Sequence, residues 1–374
     1  MPLFRDFPQL RKLLPHVSLA TLPTPVERLE RVGASIGLNR LYIKRDDLSG
    51  AIYGGNKVRK LEFLLADALG TNAKEVITFG FAGSNHALAT AIYARQVGLK
   101  CSSLLMSQVN AHYVRLNLLA GFYYKARLCH YRNISLLLLG ILSQLFRGRL
   151  ETGVFPRRIP AGGSCPLGII GYVNAAMELR DQVRAGELPE PDLLYVPLGS
   201  MGTAAGLMLG LRSIGFKTVV IPVRVIEERM ARPKRMISLI RKTESFLRTL
   251  DPTFPHVNLS RSDLFIRNDC LGDGYACFTE KAVRAARLMK REEGIVLNCT
   301  YSAKAFSALL DDAVRAELVG KTVLFWNTYN SRDLSKVTSG IDFRQLPKEF
   351  HRYFEKGVQP LDTGEGLAGT NELK

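Results

Sequence analysis

Short β-rich runs alternate with helical segments along this chain, which predicts an α/β fold with largely parallel sheets flanked by helices. Two further observations support it. Three of the segment junctions carry Gly, Ser or Asn at the point where a helix opens. The chain is also long enough, at 374 residues with 47% hydrophobic content, for two domains or one large α/β domain.

The elements follow in order. Leu41–Lys44 (LYIK) reads as a short strand. After Gly54-Gly55-Asn56-Lys57, the apolar positions Val58, Leu61, Leu65 and Leu69 repeat at helical spacing until Gly70, with Asn56 as the expected N-cap. Glu75–Phe81 (EVITFGF) reads as a strand, followed by Gly83-Ser84-Asn85 and a helix over Ala87–Val97. Cys101–Met106 is a third strand. Asp192–Leu198 runs into a glycine-rich turn and a helix over Ala204–Ile214. Thr218–Val225 and Thr322–Asn327 complete the strands, and Glu280–Glu293 is a helix. Pro160-Ala161-Gly162-Gly163 reads as a crossing between two lobes. The stretch from Gly357 to Lys374 has few apolar anchors and is expected to be a mobile tail.

Composition excludes several classes. The six cysteines form no CxxC pair, so reduced thiols are expected and the cytoplasm is the expected location. No histidine falls in an HExxH-type pattern, and no metal is expected. Residues 1–16 lack the apolar core of a secretory signal. The apolar run Ile134–Phe146 is 13 residues long, too short to span a bilayer, which takes roughly 18 or more. A buried or half-buried helix is the expectation for it, with membrane-surface attachment assisted by Arg147 and Arg149 as the alternative. The net charge of +17 would attract anions. Its basic residues are dispersed, and no nucleic-acid-binding motif accompanies them, so no specific nucleic-acid partner is expected.

Three turns carry the chemistry. In the first, Lys57 follows a glycine pair at a helix start, where the positive end of the helix dipole lowers an amine pKa. A neutral amine is what condensation with a carbonyl cofactor requires. The glycines would let a bulky group approach the backbone. In the second, Ser84 opens a helix whose free N–H groups suit a carboxylate, although a plain N-cap would look the same. In the third, Gly199-Ser200-Met201-Gly202-Thr203-Ala204-Ala205-Gly206 follows an apolar strand and opens a helix, as a phosphate cradle does. Its spacing matches neither the dinucleotide fingerprint nor a P-loop. A lysine for an aldehyde and a cradle for a phosphate together point to pyridoxal 5'-phosphate.

These motifs resemble those of pyridoxal-phosphate enzymes of the tryptophan-synthase-β fold (fold type II). More narrowly, the chain is similar to the D-cysteine desulfhydrase and 1-aminocyclopropane-1-carboxylate deaminase family. The resemblance runs from about Leu22 to Asn330 and includes Leu22-Pro23-Thr24-Pro25, Lys44-Arg45-Asp46-Asp47, Gly54 to Glu62, Gly83-Ser84-Asn85-His86, Pro160 to Gly168, Gly199 to Gly206 and Tyr301 to Lys304. It implies a larger cofactor-binding domain (1–64 and 161–356), a smaller inserted domain (65–160) and a homodimer. It implies that Lys57 is the Schiff-base lysine and that Lys60 is a further phosphate ligand. Asn85 would lie beside the cofactor ring hydroxyl. Ser84, with Asn85 and His86, would meet the substrate. Gly199, Ser200, Gly202 and Thr203 would hold the phosphate, and Tyr275 and Tyr301 would be active-site tyrosines. For the two tyrosines, a plain core role is the alternative.

Ser302 stands where the deaminases carry glutamate, and Thr328 where they carry leucine and the desulfhydrases usually carry threonine. Hydroxyls facing the pyridine nitrogen favour elimination of a good leaving group over cyclopropane opening. The expected reaction is thus α,β-elimination from a D-amino acid, D-cysteine giving pyruvate, sulfide and ammonia. The alternatives are deamination of 1-aminocyclopropane-1-carboxylate or D-serine, and a degenerate cofactor binder without turnover. The chain departs from the family at Gly83 (glutamine), Cys165 (asparagine), Asn298-Cys299 (Asp-Pro) and Asn327-Thr328-Tyr329-Asn330 (His-Thr-Gly-Gly).

Overall fold

The computed structural model describes residues 1–364. Among these residues, nine strands form two sheets. The larger has the order β1-β2-β9-β7-β8, with β1 Val26–Arg28, β2 Leu41–Lys44, β7 Leu193–Leu198, β8 Val219–Arg224 and β9 Val323–Trp326. All its pairings are parallel except β1 with β2. The smaller sheet is wholly parallel, in the order β5-β4-β3-β6, with β3 Glu75–Phe81, β4 Lys100–Met106, β5 Arg127–Tyr131 and β6 Arg157–Ile159. Its strands all come from between residues 75 and 159, and those of the larger sheet lie on either side. The expected domain boundary at 64/65 falls inside helix α1 (Lys57–Gly70).

The predicted strands over 41–44, 75–81, 101–106, 192–198, 218–225 and 322–327 match β2, β3, β4, β7, β8 and β9 to within a residue or so at each end. Strands β1, β5 and β6 escape the sequence reading; β1 and β6 have only three residues, too few to show alternation. Helix α2 starts at Asn85, two residues before the expected Ala87, and ends at Gln96. Helix α4 (Pro166–Arg184) also escapes, because it is buried nearly all round between layers and shows no polar stripe. Helix α5 (Gly202–Ser213) packs closely on α4. A Cβ on Gly206 would lie 2.5 Å from Tyr172 Cβ, and one on Gly210 would lie 2.6 Å from Ala176 Cβ. Helix α6 (Ser302–Val314) covers β7 on the face opposite to α5.

One expectation is met in its weaker form and one is corrected. The apolar run lies in helix α3 (Ile134–Thr152), which is half-buried, with Leu137, Gly140, Ile141 and Gly148 inside. Leu138, Leu139, Leu142 and Phe146 face outward, because a helix on the outer face of the smaller sheet can bury only one side. The expected tail is tied down over its first residues. Gln359 accepts the Phe278 N–H at 2.7 Å, and Asp362 accepts the His112 N–H at 2.6 Å. The rest of that segment, 365–374, lies outside the described residues.

Candidate active site

Parallel sheets carry their sites beyond the C-terminal ends of the strands. Here β9 lies between β2 and β7 in the larger sheet, so its outgoing Thr328 falls between the lysine turn and the glycine-rich turn. Strand β3 of the smaller sheet brings Gly80, Phe81 and Ser84 to face them. Between the two sheets lies a cavity of about 350 Å³, lined by residues of all four segments.

Lys57 is half-buried on the cavity wall at the first residue of α1. Loss of hydration lowers its pKa to about 8. Asn56 occupies the cap position but does not cap. Its amide donates instead to Thr203 Oγ1 at 2.9 Å, joining the lysine turn to the glycine-rich turn. The glycine pair also serves a different purpose from the expected one. A Cβ on Gly54 would meet Asp47 O at 1.9 Å, and one on Gly55 would meet Thr328 O at 2.8 Å. Gly55 has φ +93°, open to glycine and strained for other residues. What approaches these glycines is the chain's own backbone. The Gly55 N–H reaches Asp46 O at 2.8 Å, and the Asn56 N–H reaches Thr328 O at 3.2 Å.

In the glycine-rich turn, Met201 adopts φ +67° and α5 begins at Gly202. Gly199, Ser200 and Thr203 line the cavity. A Cβ on Gly202 would stand 2.4 Å from Ser164 Oγ and 2.7 Å from Lys60 Nζ, so glycine is what lets these two side chains close on the turn. Ser164 donates to Ser200 Oγ at 2.9 Å and accepts the Gly202 N–H at 3.2 Å. Lys60 is not on the wall but lies buried beneath Gly202, its ammonium donating to Gly162 O at 3.0 Å. It has no ion-pair partner among the described residues, and burial followed by the nearby Lys57 pushes its pKa well down. Gly206, in the same motif, serves the α4–α5 contact and not the cavity.

Ser84 caps α2, accepting the Ala87 N–H at 3.2 Å while lining the cavity. Both readings of this residue therefore describe one geometry. Asn85 Oδ1 accepts from Asn117 Nδ2 at 2.9 Å, which leaves the Asn85 amide nitrogen free to donate into the cavity. His86 is buried on the wall, and burial, Lys57 and Lys60 together hold its ring neutral. Tyr275 and Tyr301 hydrogen-bond through their hydroxyls on the opposite wall. Burial raises the Tyr301 pKa to about 12 and that of Tyr275 well above its usual value, so both hold their protons at neutral pH.

Ser302 departs from expectation. It is fully buried at the start of α6 and off the cavity wall, and its hydroxyl accepts the Asn298 N–H at 2.9 Å. Thr328 does line the cavity. The unusual residues that follow it are accommodated. Tyr329 forms part of the wall, and Asn330 Oδ1 accepts the Gly54 N–H at 2.6 Å. A Cβ on Gly83 would lie 2.9 Å from Gln108 Nε2, and Gln108 Oε1 accepts the Gly83 N–H at 2.8 Å. Reading the motifs alone misses Ser164, Asn117, Gln108 and the bridging role of Asn56. A buried asparagine on the apolar helix His112–Tyr123 is the signal that could have found Asn117.

The donor set fits pyridoxal phosphate. The buried Lys60, without an ion-pair partner among the described residues, and the start of α5 at the cavity edge, where Ser200 and Thr203 present hydroxyls, call for an anion. Lys57 would hold the aldehyde carbon, and the free Asn85 amide would donate to the ring oxygen.

Comparison with known proteins agrees with this cofactor. Residues 17–328 match the pattern of the family described as "Pyridoxal-phosphate dependent enzyme". The chain is 32% identical over 316 residues to a putative 1-aminocyclopropane-1-carboxylate deaminase of Pyrococcus abyssi, covering 84% of this chain and 91% of that one. It is 33% identical over 305 residues to the D-cysteine desulfhydrase of Serratia proteamaculans, covering 79% and 88%. A crystal structure of an ACC deaminase homologue superposes with a TM-score of 0.74 at 31% identity, covering 88% of this chain and 94% of that one.

Proposed function

Because the chain belongs to the pyridoxal-phosphate-dependent enzymes, in the group that holds the 1-aminocyclopropane-1-carboxylate deaminases and D-cysteine desulfhydrases, we propose that it catalyses α,β-elimination from D-cysteine. The net reaction takes D-cysteine and water to pyruvate, hydrogen sulfide and ammonia. One observation carries the choice. Among the described residues, the cavity wall bears a hydroxyl at Thr328 and no carboxylate that could hold a proton on the cofactor's ring nitrogen. An unprotonated ring is the weaker electron sink, adequate for expelling a good leaving group. The named similarity to a D-cysteine desulfhydrase supports the same reading.

Bound pyridoxal phosphate supplies the sink for the electron pair left at the substrate's α carbon. The residues of the chain do the rest. The N–H groups of Asn85 and His86 at the start of α2, with the Ser84 hydroxyl, hold the substrate carboxylate. The Lys57 amine, poised near pH 8, takes the α proton. The paired hydroxyls of Tyr275 and Tyr301, protonated at neutral pH, return a proton to the departing sulfur. Phe79, Phe81, Ile226 and Met230 form the apolar part of the wall and limit water at the reacting atoms. In this proposal the enzyme is a cytoplasmic homodimer with a larger cofactor-binding lobe (1–64 and 161–356) and an inserted smaller lobe, in keeping with six free cysteines.

Parallel assays of the purified protein test the reading, measuring sulfide from D-cysteine, 2-oxobutyrate from 1-aminocyclopropane-1-carboxylate and pyruvate from D-serine. Sulfide release should be fastest. Faster release of 2-oxobutyrate would assign the deaminase reaction instead.

A further inference from the structure

Helix α3 leaves a continuous apolar ridge uncovered. Leu138, Leu139, Leu142, Phe146 and Leu150 are between 53% and 87% exposed, on the side opposite Leu137 and Ile141, which seat the helix on Ile77 and Leu104. Phe155 extends the ridge, its ring centroid 6.1 Å from that of Phe146. Contiguous exposed leucines mark an interaction surface, where scattered single ones would not.

The surroundings specify the partner. Residues 125–158 hold Lys125, Arg127, Arg132, Arg147, Arg149, Arg157 and Arg158 against a single acid, Glu151. Glu151 is shared by Arg127 and Arg147. Arg132, Arg149 and Arg158 are exposed and make no ion pair among the described residues. Arg149 lies 5.7 Å over the Phe155 ring, at the edge of the ridge. Arg157 reaches back to Asp67, so strand alternation turns Arg158 toward the face that α3 covers.

We propose that this face docks on an anionic lipid surface, with α3 lying in the plane of the headgroups. An aliphatic ridge without a groove inserts among acyl chains, and flanking arginines meet acidic headgroups. No helix among the described residues is long and apolar enough to cross a membrane, so docking is in-plane. A second copy of the chain is the poorer partner, because it would bring the same seven-to-one basic excess against itself.

Co-sedimentation of the cofactor-loaded protein with vesicles is the test. Vesicles of phosphatidylcholine alone are compared with vesicles carrying about 30% phosphatidylserine. The protein should pellet with the anionic vesicles, not with the neutral ones, and be released as salt rises from about 0.1 to about 0.5 M. The double variants Leu139→Asp/Phe146→Asp and Arg149→Glu/Arg158→Glu should each bind at least about tenfold more weakly. Both should keep the cofactor absorbance and turnover of the parent, because neither pair touches the cavity. Failure to pellet at low salt overturns the proposal, as does undiminished binding by the leucine–phenylalanine variant. A change of that variant from dimer to monomer in sedimentation velocity, with no vesicle binding by the parent, would assign the ridge to contact between copies.

Discussion

Lys57 is an amine whose hydration is stripped by the cavity and whose charge no carboxylate supports, and its pKa falls to about 8 in consequence. In the apoprotein the neutral fraction rises through that pH, so the rate of pyridoxal phosphate uptake should climb up to about pH 8 and level off above it. Stopped-flow absorbance at several pH values checks this, and a rate flat from pH 6 to 9 would exclude it. Lys57→Ala should abolish borohydride-stable attachment of the cofactor and lower turnover by at least about 10²–10⁴-fold. Tyr301 shows how a residue's role depends on its neighbour. Its hydroxyl is held by Tyr275, and both stay protonated. If the pair returns the proton to the leaving group, Tyr301→Phe should reduce kcat for D-cysteine by about 10²-fold or more with little change in KM. A larger change in KM than in kcat would make Tyr301 a binding residue.

At the scale of elements, the site is a set of turns clamped together. The lysine turn is held by Asp46 O, Thr328 O and Asn330 Oδ1, and it is joined through Asn56 to Thr203 at the start of α5. The position of α5 depends in turn on glycines that let it approach α4. Gly206→Ala would gain up to about 1 kcal/mol of helix propensity. Its new Cβ, however, would lie 2.5 Å from Tyr172 Cβ and 2.6 Å from the backbone oxygen of Ile169. Backbone in a buried helix cannot withdraw cheaply, and overpacking of this kind costs about 1–3 kcal/mol. The clash should prevail, so thermal unfolding of Gly206→Ala should occur at a lower temperature than for the parent. The turn at the head of α5 would be displaced too, so cofactor affinity should fall with it. Unchanged stability and affinity would mean that the two helices separate freely.

Across the whole molecule, a buried ionic cluster joins the segments that carry the site. Arg59, two residues after Lys57, pairs with Asp46 at 2.7 Å and with Glu178 of α4 at 2.9 Å. Lys44 at the end of β2 reaches Glu178 at 2.7 Å, and Tyr172 and Trp326 donate to Asp46. Glu178→Gln would leave two buried cations without their shared counter-charge and should cost roughly 3–5 kcal/mol, read from urea unfolding. The cluster also sets an acid limit. The Arg59 and Lys44 charges outweigh burial and lower the Glu178 pKa from 4.5 to about 2. A folded-state pKa below the unfolded one gives stability that is fully present above about pH 4.5 and lost as pH falls toward 2. The stability of the parent should therefore drop across that window, and Glu178→Gln should show a shallower drop there.

Much of this was legible in one dimension. Strands and helix starts follow from local apolar spacing, and the three polar or glycine-rich turns stand beside them as contiguous motifs, so the α/β class and the cofactor could be read without coordinates, as could the turns that bring Lys57, Gly199, Ser200 and Thr203 to one cavity. Other roles depend on residues far apart in the chain, which no local pattern records. Asn56 looks like a cap until Thr203 stands beside it, and Asn85 has no orientation until Asn117 takes its oxygen. Ser302 looks like a cofactor ligand until its hydroxyl is seen turned to Asn298. The run Ile134–Phe146 was apolar from the start, but which side of it meets water was settled only when one face of α3 packed on the smaller sheet. Composition tells how much apolar surface a segment carries; only packing decides which part of that surface remains uncovered.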